Sequence, residues 1–194
     1  MKQEMFKFNE SNHTYTLNGV IIPSVTQIMK PLTDEAYKSI PENTMKEAAN
    51  RGTKVHLATE FLDKFNIEDI DENLINYLEA YKKFKADYDP IVLFTELPVY
   101  HKKFFYAGTI DRIYSINGKF VLVDIKTTNE IHKGLVAVQT TAYKQMITDM
   151  PIDSTAVLQL KADGTYEFIN NLPDESKIFQ SLLEIHHFKA KLGV

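Results

Sequence analysis

An Asn-Gly pair between two apolar runs fixes the pairing of two strands near the middle of the chain. Asn117-Gly118, flanked in this way, is the strongest local signal for a hairpin with a two-residue type I′ turn. With that turn, Asp111 lies opposite Asp124. Lys126 follows two residues later on the same face, about 7 Å along the strand. The sequence therefore predicts a small patch of two carboxylates and one lysine.

Two carboxylates that face each other across a strand pair repel, because their Cβ atoms are about 5 Å apart. A fold that keeps them usually holds a cation between them, and oxygen ligands suit Mg²⁺ or Mn²⁺. We therefore expect metal-assisted hydrolysis of a phosphodiester, with Asp111 and Asp124 on the metal and Lys126 orienting or deprotonating the attacking water. The alternative is a solvated hairpin face with an ordinary Asp–Lys pair. The apolar residues that alternate with these charges favour a cleft at the sheet.

The composition is that of a globular chain without disulfides. The 194 residues favour one domain, and a hydrophobic content of 44% is enough for a substantial core. Cysteine is absent, which excludes disulfides, iron–sulfur ligation and thiol catalysis and fits a reducing, cytoplasmic compartment. No signal peptide or membrane-spanning run is evident, so we expect no membrane contact. The net charge of −4 neither indicates nor excludes nucleic-acid binding.

The order of the predicted elements indicates an α/β fold, with a mixed central β-sheet flanked by helices and a helical and β extension at the N-terminus. The expected domain is a single unit over 1–194, with a meander and loop in 1–43 and the core in 44–194. The predicted core elements are helices over 44–66 and 71–88, strands over 92–100, 104–115 and 119–127, a helix over 133–148, a hairpin over 155–169 and a helix over 173–191.

The N-terminal extension is expected to contain a small meander, one short helix and a loop. Its predicted strands are 5–8, 14–17 and 20–22. Ser24 is a predicted N-cap for a short helix that ends at Met29. Turn-forming residues over 30–43 predict a mobile loop, after which a capping box of Thr44 and Glu47 opens the long helix.

Five further residues are candidates for the same site. His56 and Glu60 are four apart in the long helix and share a face, so the imidazole either joins an oxygen-rich site or is an ordinary helix histidine bonded to its neighbour. Gln139 and Tyr143 have the same spacing in the helix after the hairpin. Alone they would be a surface glutamine and a core tyrosine. Glu96, on the strand before the hairpin, either reaches the metal site or faces solvent.

In this order, the spacings resemble the RecB-like branch of the PD-(D/E)XK nuclease superfamily. The matching segments are Gly52-x-x-x-His56-x-x-x-Glu60, Gly108-Thr109-Ile110-Asp111, Asp124-Ile125-Lys126-Thr127 and Gln139-x-x-x-Tyr143. Pro23-Ser24-Val25-Thr26 and the compact size are similar to the exonucleases of mitochondrial genome maintenance and their phage and bacterial relatives. The resemblance spans about residues 23–147. The proline that names the superfamily is absent before Asp111, as are the cysteines of the iron–sulfur relatives.

The resemblance implies a restriction-endonuclease-like core and cleavage of DNA, often from an end. It also implies that His56, Asp111, Asp124 and the Ile125 carbonyl bind Mg²⁺ or Mn²⁺. Lys126 would then be the catalytic lysine. Supporting or DNA-binding roles would belong to Gln139, Tyr143, Glu60 and Glu96.

The leading hypothesis is a metal-dependent DNA exonuclease that acts on single strands or ends, in a bacterial or phage-infected cell. A helical arch over the site, from residues 30–88, would favour threading of a single strand. The alternatives are a structure-specific or restriction-type endonuclease and a catalytically silent DNA-binding module, although the retained Asp111, Asp124 and Lys126 argue against the silent module. DNA repair or recombination is the expected setting. No helicase motif is present, so the chain is expected to be a stand-alone nuclease or one part of a complex with a recombination or replication partner protein.

Overall fold

The computed structural model describes residues 5–193, which confirm the predicted mixed α/β class. In chain order this part forms β1 (Phe6–Asn9), β2 (Thr14–Leu17), β3 (Val20–Ile22), α1 (Val25–Ala36), α2 (Glu42–Phe65), α3 (Ile75–Tyr88), β4 (Ile91–Tyr100), β5 (Ala107–Ile116), β6 (Lys119–Lys126), α4 (Lys133–Met146), β7 (Ser154–Leu160), β8 (Tyr166–Ile169) and α5 (Ser176–Leu192). A single 3₁₀ turn, Glu72–Leu74, precedes α3. None of the helices in this range combines the length and apolar character that a membrane-spanning helix needs.

The main sheet is a middle layer between two groups of helices. Its strand order is β4-β5-β6-β7-β8, and β1-β2-β3 form a separate three-stranded sheet. Neighbouring strands of the main sheet are antiparallel except β6 and β7, which are parallel and joined through α4. One apolar core lies between the sheet and α2 and α3, and the other lies between the sheet and α1, α4 and α5. The central strands are therefore buried on both faces.

The central hairpin has the predicted turn and register. Both residues of the turn at 117–118 have positive φ, 52° and 76°, as a type I′ turn requires. The pairing of β5 with β6 starts with Ile116 opposite Lys119 and continues without a shift to Arg112. The paired residues end with Arg112 opposite Val123, one position before the predicted pair of Asp111 and Asp124.

The predicted loop over residues 30–43 is wrong for its first part, because α1 continues to Ala36, and residues 37–41 form the connection to α2. Ser24 caps this helix as predicted, since its hydroxyl accepts a hydrogen bond from Gln27 N at 3.1 Å and the Gln27 side chain accepts one from Ser24 N at 2.9 Å. Pro31 lies on the exposed side of α1. The opposite side of the helix is buried in the core, and this burial offsets the hydrogen bond that the proline removes.

The start of α2 also differs from the prediction. The helix begins at Glu42, and Met45 N already donates to Pro41 O at 3.1 Å. Thr44 therefore lies inside the first turn, and the predicted capping box with Glu47 is wrong. The fixed φ of proline, −58° here, lets the chain enter the helix directly without a side-chain cap.

Two glycine substitutions test the turn of the central hairpin. Gly118→Ala should destabilise the protein by about 1 kcal/mol, because alanine is strained where φ is 76°. Gly134→Ala is the matched control. Gly134 lies in the first turn of α4 with open space around it, so alanine there should add about 0.5 kcal/mol of stability. Urea denaturation measures both changes, and an unaltered midpoint for Gly118→Ala would contradict the turn.

Candidate metal centre

The far end of the central hairpin meets α2 at a group of titratable side chains. His56 Nε2 donates a hydrogen bond to the Ile125 carbonyl at 3.0 Å. Its Nδ1 lies 3.5 Å from Glu96 Oε1 and 3.6 Å from Asp111 Oδ1. Because a carbonyl oxygen can only accept, Nε2 carries the hydrogen, and Nδ1 is the nitrogen that faces the two carboxylates.

An irregularity of the sheet brings two successive side chains of β5 to α2. Ile110 and Ile113 belong to the same core although they are three residues apart, which a regular strand does not allow. Across the pairing, Glu96 in β4 has a φ of 43°, a left-handed conformation that is rare for glutamate. Asp111 and Arg112 therefore both reach α2. Strained backbone of this kind clusters at functional sites.

The distances around His56 fit a divalent cation. One ligand atom from each of His56, Glu96 and Asp111 lies within 4.8 Å of the others, and this is the only such group of three or more in residues 5–193. Two ligands about 2.1 Å from one ion are about 3.0 to 4.2 Å apart, depending on their angle. The two separations from His56 Nδ1 lie inside that range. One imidazole and two carboxylates suit Mn²⁺ or Mg²⁺.

Asp124, a predicted metal ligand, lies beside this group and pairs with Lys126. Its buried Oδ2 is 2.8 Å from Lys126 Nζ, so the ammonium supplies the nearest positive charge. A buried carboxylate needs a cation or hydrogen-bond donors nearby, and Lys126 meets this need. The assignment of Asp124 as a metal ligand stays a prediction.

The backbone of Ile125 holds two of the candidate ligands in place. Its N–H donates to Asp111 Oδ2 at 2.6 Å, and its carbonyl accepts from His56. These bonds set the direction of the carboxylate and of the imidazole ring. The carbonyl keeps a second lone pair, so the predicted role of Ile125 as a ligand also stays a prediction.

The predicted supporting residues of α4 lie next to Lys126. Lys126 Nζ donates to Gln139 Oε1 at 3.3 Å, and Gln139 Nε2 donates to Tyr143 Oη at 3.1 Å. The Tyr143 ring lies against Gly108, where a Cβ would come within 2.5 Å of Cε1. Glycine at this position therefore lets α4 approach the hairpin closely, and the structure brings the predicted second, third and fourth motifs together.

Sequence analysis missed Arg112 and Asp63 at this site. Arg112 is fully buried, and it pairs with Asp63 at 2.8 Å and with Glu96 at 3.1 Å. A charged residue inside an apolar strand was the available signal, since arginine is almost never fully buried unless it is paired. Glu60 forms an ion pair with Lys64 and is not among the three grouped ligands, and its predicted supporting or DNA-binding role stays a prediction.

Without a metal ion, the site is short of positive charge. Burial raises the pKa of Asp111 and of Asp124, and nearby His56 and Lys126 only partly oppose this. Burial alone would lower the pKa of His56, but the charges of Asp111 and Glu96 outweigh it and raise that pKa to about 9. Protonated His56 therefore supplies positive charge at the position where a metal ion would lie.

The comparisons with known proteins give weak similarity. No protein-family model and no curated protein sequence matches this chain. Similar solved structures include the alkaline exonuclease LHK-Exo from Laribacter hongkongensis, which is 13% identical with a TM-score of 0.43 over 75% of this chain and 86% of that one. LHK-Exo in complex with dAMP gives 13% identity and a TM-score of 0.46, covering 89% of this chain and 93% of that one. The crystal structure of SSO0001 is 13% identical, with a TM-score of 0.39 over 85% of this chain and 84% of that one.

The pKa of His56 makes the stability of the metal-free protein depend on pH. A pKa raised from 6.5 to about 9 means that the folded state binds this proton more tightly than the unfolded state. The resulting stabilisation, about 3 kcal/mol at most, is complete below pH 6.5 and is lost as the pH rises through about 9. Urea denaturation in EDTA at pH 6 and pH 9.5 measures this loss. In His56→Gln the loss should be smaller by that amount, and identical pH profiles would contradict the proposed charge on His56.

Proposed function

We propose that the chain is a metal-dependent deoxyribonuclease that hydrolyses phosphodiester bonds, acting from the ends of single-stranded DNA. The observation that carries this proposal is the convergence of His56, Glu96 and Asp111 within 4.8 Å. The ion pair of Asp124 with Lys126 lies next to Asp111. Imidazole, carboxylates and an ammonium group in one cluster of side chains are the groups that metal-assisted phosphodiester hydrolysis needs.

Each residue has a distinct part in this proposal. His56, Glu96 and Asp111 would hold the cation, and Asp124 is a further candidate ligand. The Ile125 carbonyl bonds the opposite nitrogen of the His56 ring and holds that ring in place. When bound, the cation would shield the phosphate charge and lower the pKa of the attacking water. Ile125 keeps His56 Nε2 protonated, so that Nδ1 is the nitrogen available as a ligand.

Lys126 acts in this proposal as a hydrogen-bond donor. Burial would lower its pKa, but the charges of Asp124 and Asp111 raise it above the ordinary value, so the side chain is an ammonium at neutral pH. An ammonium orients water and stabilises negative charge on the phosphate, and it cannot take a proton from the water. Of the two predicted roles, orienting and deprotonating, the site therefore favours the first. Gln139, fixed by Tyr143, helps to aim the ammonium.

An endonuclease is the second candidate, because the site is open to solvent. The side chains of His56, Glu96 and Lys126 are 25%, 27% and 31% exposed. The second half of α2, from Val55, and α3 pack against the sheet, whereas residues 42–50 of α2 are mostly exposed. The arch expected from residues 30–88 stays a prediction. The proposed preference for DNA ends is supported by the motif resemblance. The proposed setting in DNA repair or recombination, and any partner protein, have the same support.

Lys126→Met separates binding from chemistry. The cleavage rate should fall on the order of 100-fold, because the lost ammonium acts mainly in the transition state. Binding of Mn²⁺ and of single-stranded DNA should persist. Single-turnover cleavage of end-labelled DNA measures the rate, and fluorescence anisotropy measures binding. The matched control is Lys161→Met, which removes an exposed lysine 3.7 Å from Glu167 and should leave the rate unchanged. Wild-type turnover in Lys126→Met would make Lys126 only a structural partner of Asp124.

A requirement for a free end distinguishes the two enzymatic candidates. Linear single-stranded DNA should be degraded with Mg²⁺ or Mn²⁺, and covalently closed single-stranded circles of the same sequence should survive. EDTA should stop the reaction, and binding should weaken with salt because phosphate contacts release counterions. Gel analysis of both substrates is the measurement. Cutting of the circles would favour the endonuclease, and no cleavage of any substrate would favour the silent DNA-binding module.

A further inference from the structure

Arg112 lies at the centre of a buried hydrogen-bond network that the proposed cleavage does not use. Its Nε donates to Asp63 Oδ2 at 2.8 Å, and one terminal nitrogen donates to Thr59 Oγ1 at 2.9 Å. The other terminal nitrogen donates to Glu96 Oε1 at 3.1 Å and to the Asp111 carbonyl at 2.6 Å. One guanidinium therefore joins α2 to both strands that carry the acidic ligands.

The contacts on the strand side involve both acidic residues of the candidate metal centre. Glu96 Oε1 lies 3.1 Å from Arg112 and 3.5 Å from His56 Nδ1, so a single oxygen connects the guanidinium to the position of the ion. The bond to the Asp111 carbonyl fixes the backbone of the second ligand. Both ligands lie where β4 and β5 depart from regular geometry, so the sheet alone does not set their direction.

The α2 side of the network is rigid. Asp63 is fully buried, and its Oδ1 accepts from Lys85 Nζ at 2.7 Å. Its Oδ2 accepts from Tyr81 Oη at 2.5 Å as well as from Arg112, and Tyr81 Oη lies 2.5 Å from Tyr114 Oη. The guanidinium is therefore held at a fixed position. Its N–H groups that donate to Glu96 and to the Asp111 carbonyl are fixed with it.

The chain uses arginine sparingly, which is consistent with a need for its geometry here. Only two of the 22 basic residues are arginine, and the other, Arg51, donates to the Thr127 carbonyl one residue after Lys126. A guanidinium presents donors in a planar fork that can serve several acceptors at once, whereas an ammonium is a point charge on a flexible stem. Lysine at position 112 would keep the charge and lose the fork.

We propose that Arg112, held by Asp63 and Thr59, is a positioning residue that orients Glu96 and Asp111 for binding of a divalent cation. Arg112 touches neither the ion nor the DNA and acts only through these two ligands. The inference rests on the metal centre of the proposed function.

A double-mutant cycle with Mn²⁺ as the probe tests this role. Calorimetric titration compares wild type, Arg112→Lys, Glu96→Gln and the double variant. Arg112→Lys should weaken Mn²⁺ binding about ten-fold or more, as is typical when a partner of a metal ligand is lost. In the Glu96→Gln background the same change should weaken binding by less than about three-fold, because the oriented carboxylate is already gone.

A matched control separates positioning from stability. Lys85→Met removes the other cation bound to Asp63, so it should lower the urea midpoint while changing Mn²⁺ affinity less than two-fold. If Arg112→Lys does not fold, Thr59→Val replaces it as a variant of similar shape that removes one anchor of the guanidinium. Thr59→Val should then weaken Mn²⁺ binding in the wild-type background and not in the Glu96→Gln background.

The outcomes also separate this inference from the proposed nuclease activity. An unchanged Mn²⁺ affinity in Arg112→Lys, or the same loss in both backgrounds, would overturn the positioning role even if the wild type cleaves DNA. The expected cycle in a wild type that cleaves no DNA would support positioning and refute the nuclease. Equal Mn²⁺ binding by wild type and Asp111→Asn would place the ion elsewhere and refute the positioning role directly.

Discussion

Buried negative charge is the constraint on which the rest of the structure depends. Four carboxylates lie along the contact between α2 and the sheet: Asp63, Glu96, Asp111 and Asp124. Burying a carboxylate without a partner costs several kcal/mol, so each must have a cation or hydrogen-bond donors nearby. Arg112 and Lys85 meet this need at one end of the row, and Lys126 meets it at the other. Between these ends, Glu96 and Asp111 lie beside His56. The negative charge of these two carboxylates raises the pKa of His56 to about 9.

Arg112 and Lys126, the two basic residues on β5 and β6 at this site, differ in solvent exposure. The side chain of Arg112 is 0% exposed, with its donors directed at protein groups. The side chain of Lys126 is 31% exposed. In the proposed nuclease, a substrate phosphate would therefore reach the lysine and not the arginine. The buried Arg112 would balance charge and orient the ligands, and the partly exposed Lys126 would contact the substrate.

The parts of the structure that sequence analysis predicted are those governed by local chemistry. The Asn-Gly turn sets the register of β5 and β6, which pairs the two strands from Ile116 to Arg112, next to Asp111. The N-cap at Ser24 also has a local signal. The sequence left the role of Glu96 open. The direction of this side chain depends on a backbone φ of 43°, which no residue pattern predicts.

The missed features depend on contacts between distant segments. Asp63 and Arg112 are 49 residues apart, so neither spacing nor periodicity connects them. The first part of the loop predicted over 30–43 failed for a related reason. Pro31 weakens a helix locally, but the core beneath α1 compensates for it, and that core is assembled from α4, α5 and the sheet. Tertiary packing therefore decided the elements and partners that local propensity could not.

The parallel pairing of β6 with β7 has a consequence for synthesis on the ribosome. All residues of the acidic row, with His56 and Lys126, precede residue 127, whereas β7 and the crossover α4 that carries Gln139 come later. A nascent chain of this length already contains the charge row, but β6 still lacks its second neighbour. Parallel strands pair late because their crossover must form first. The candidate ligands are therefore synthesised before the crossover helix that places Gln139 beside Lys126.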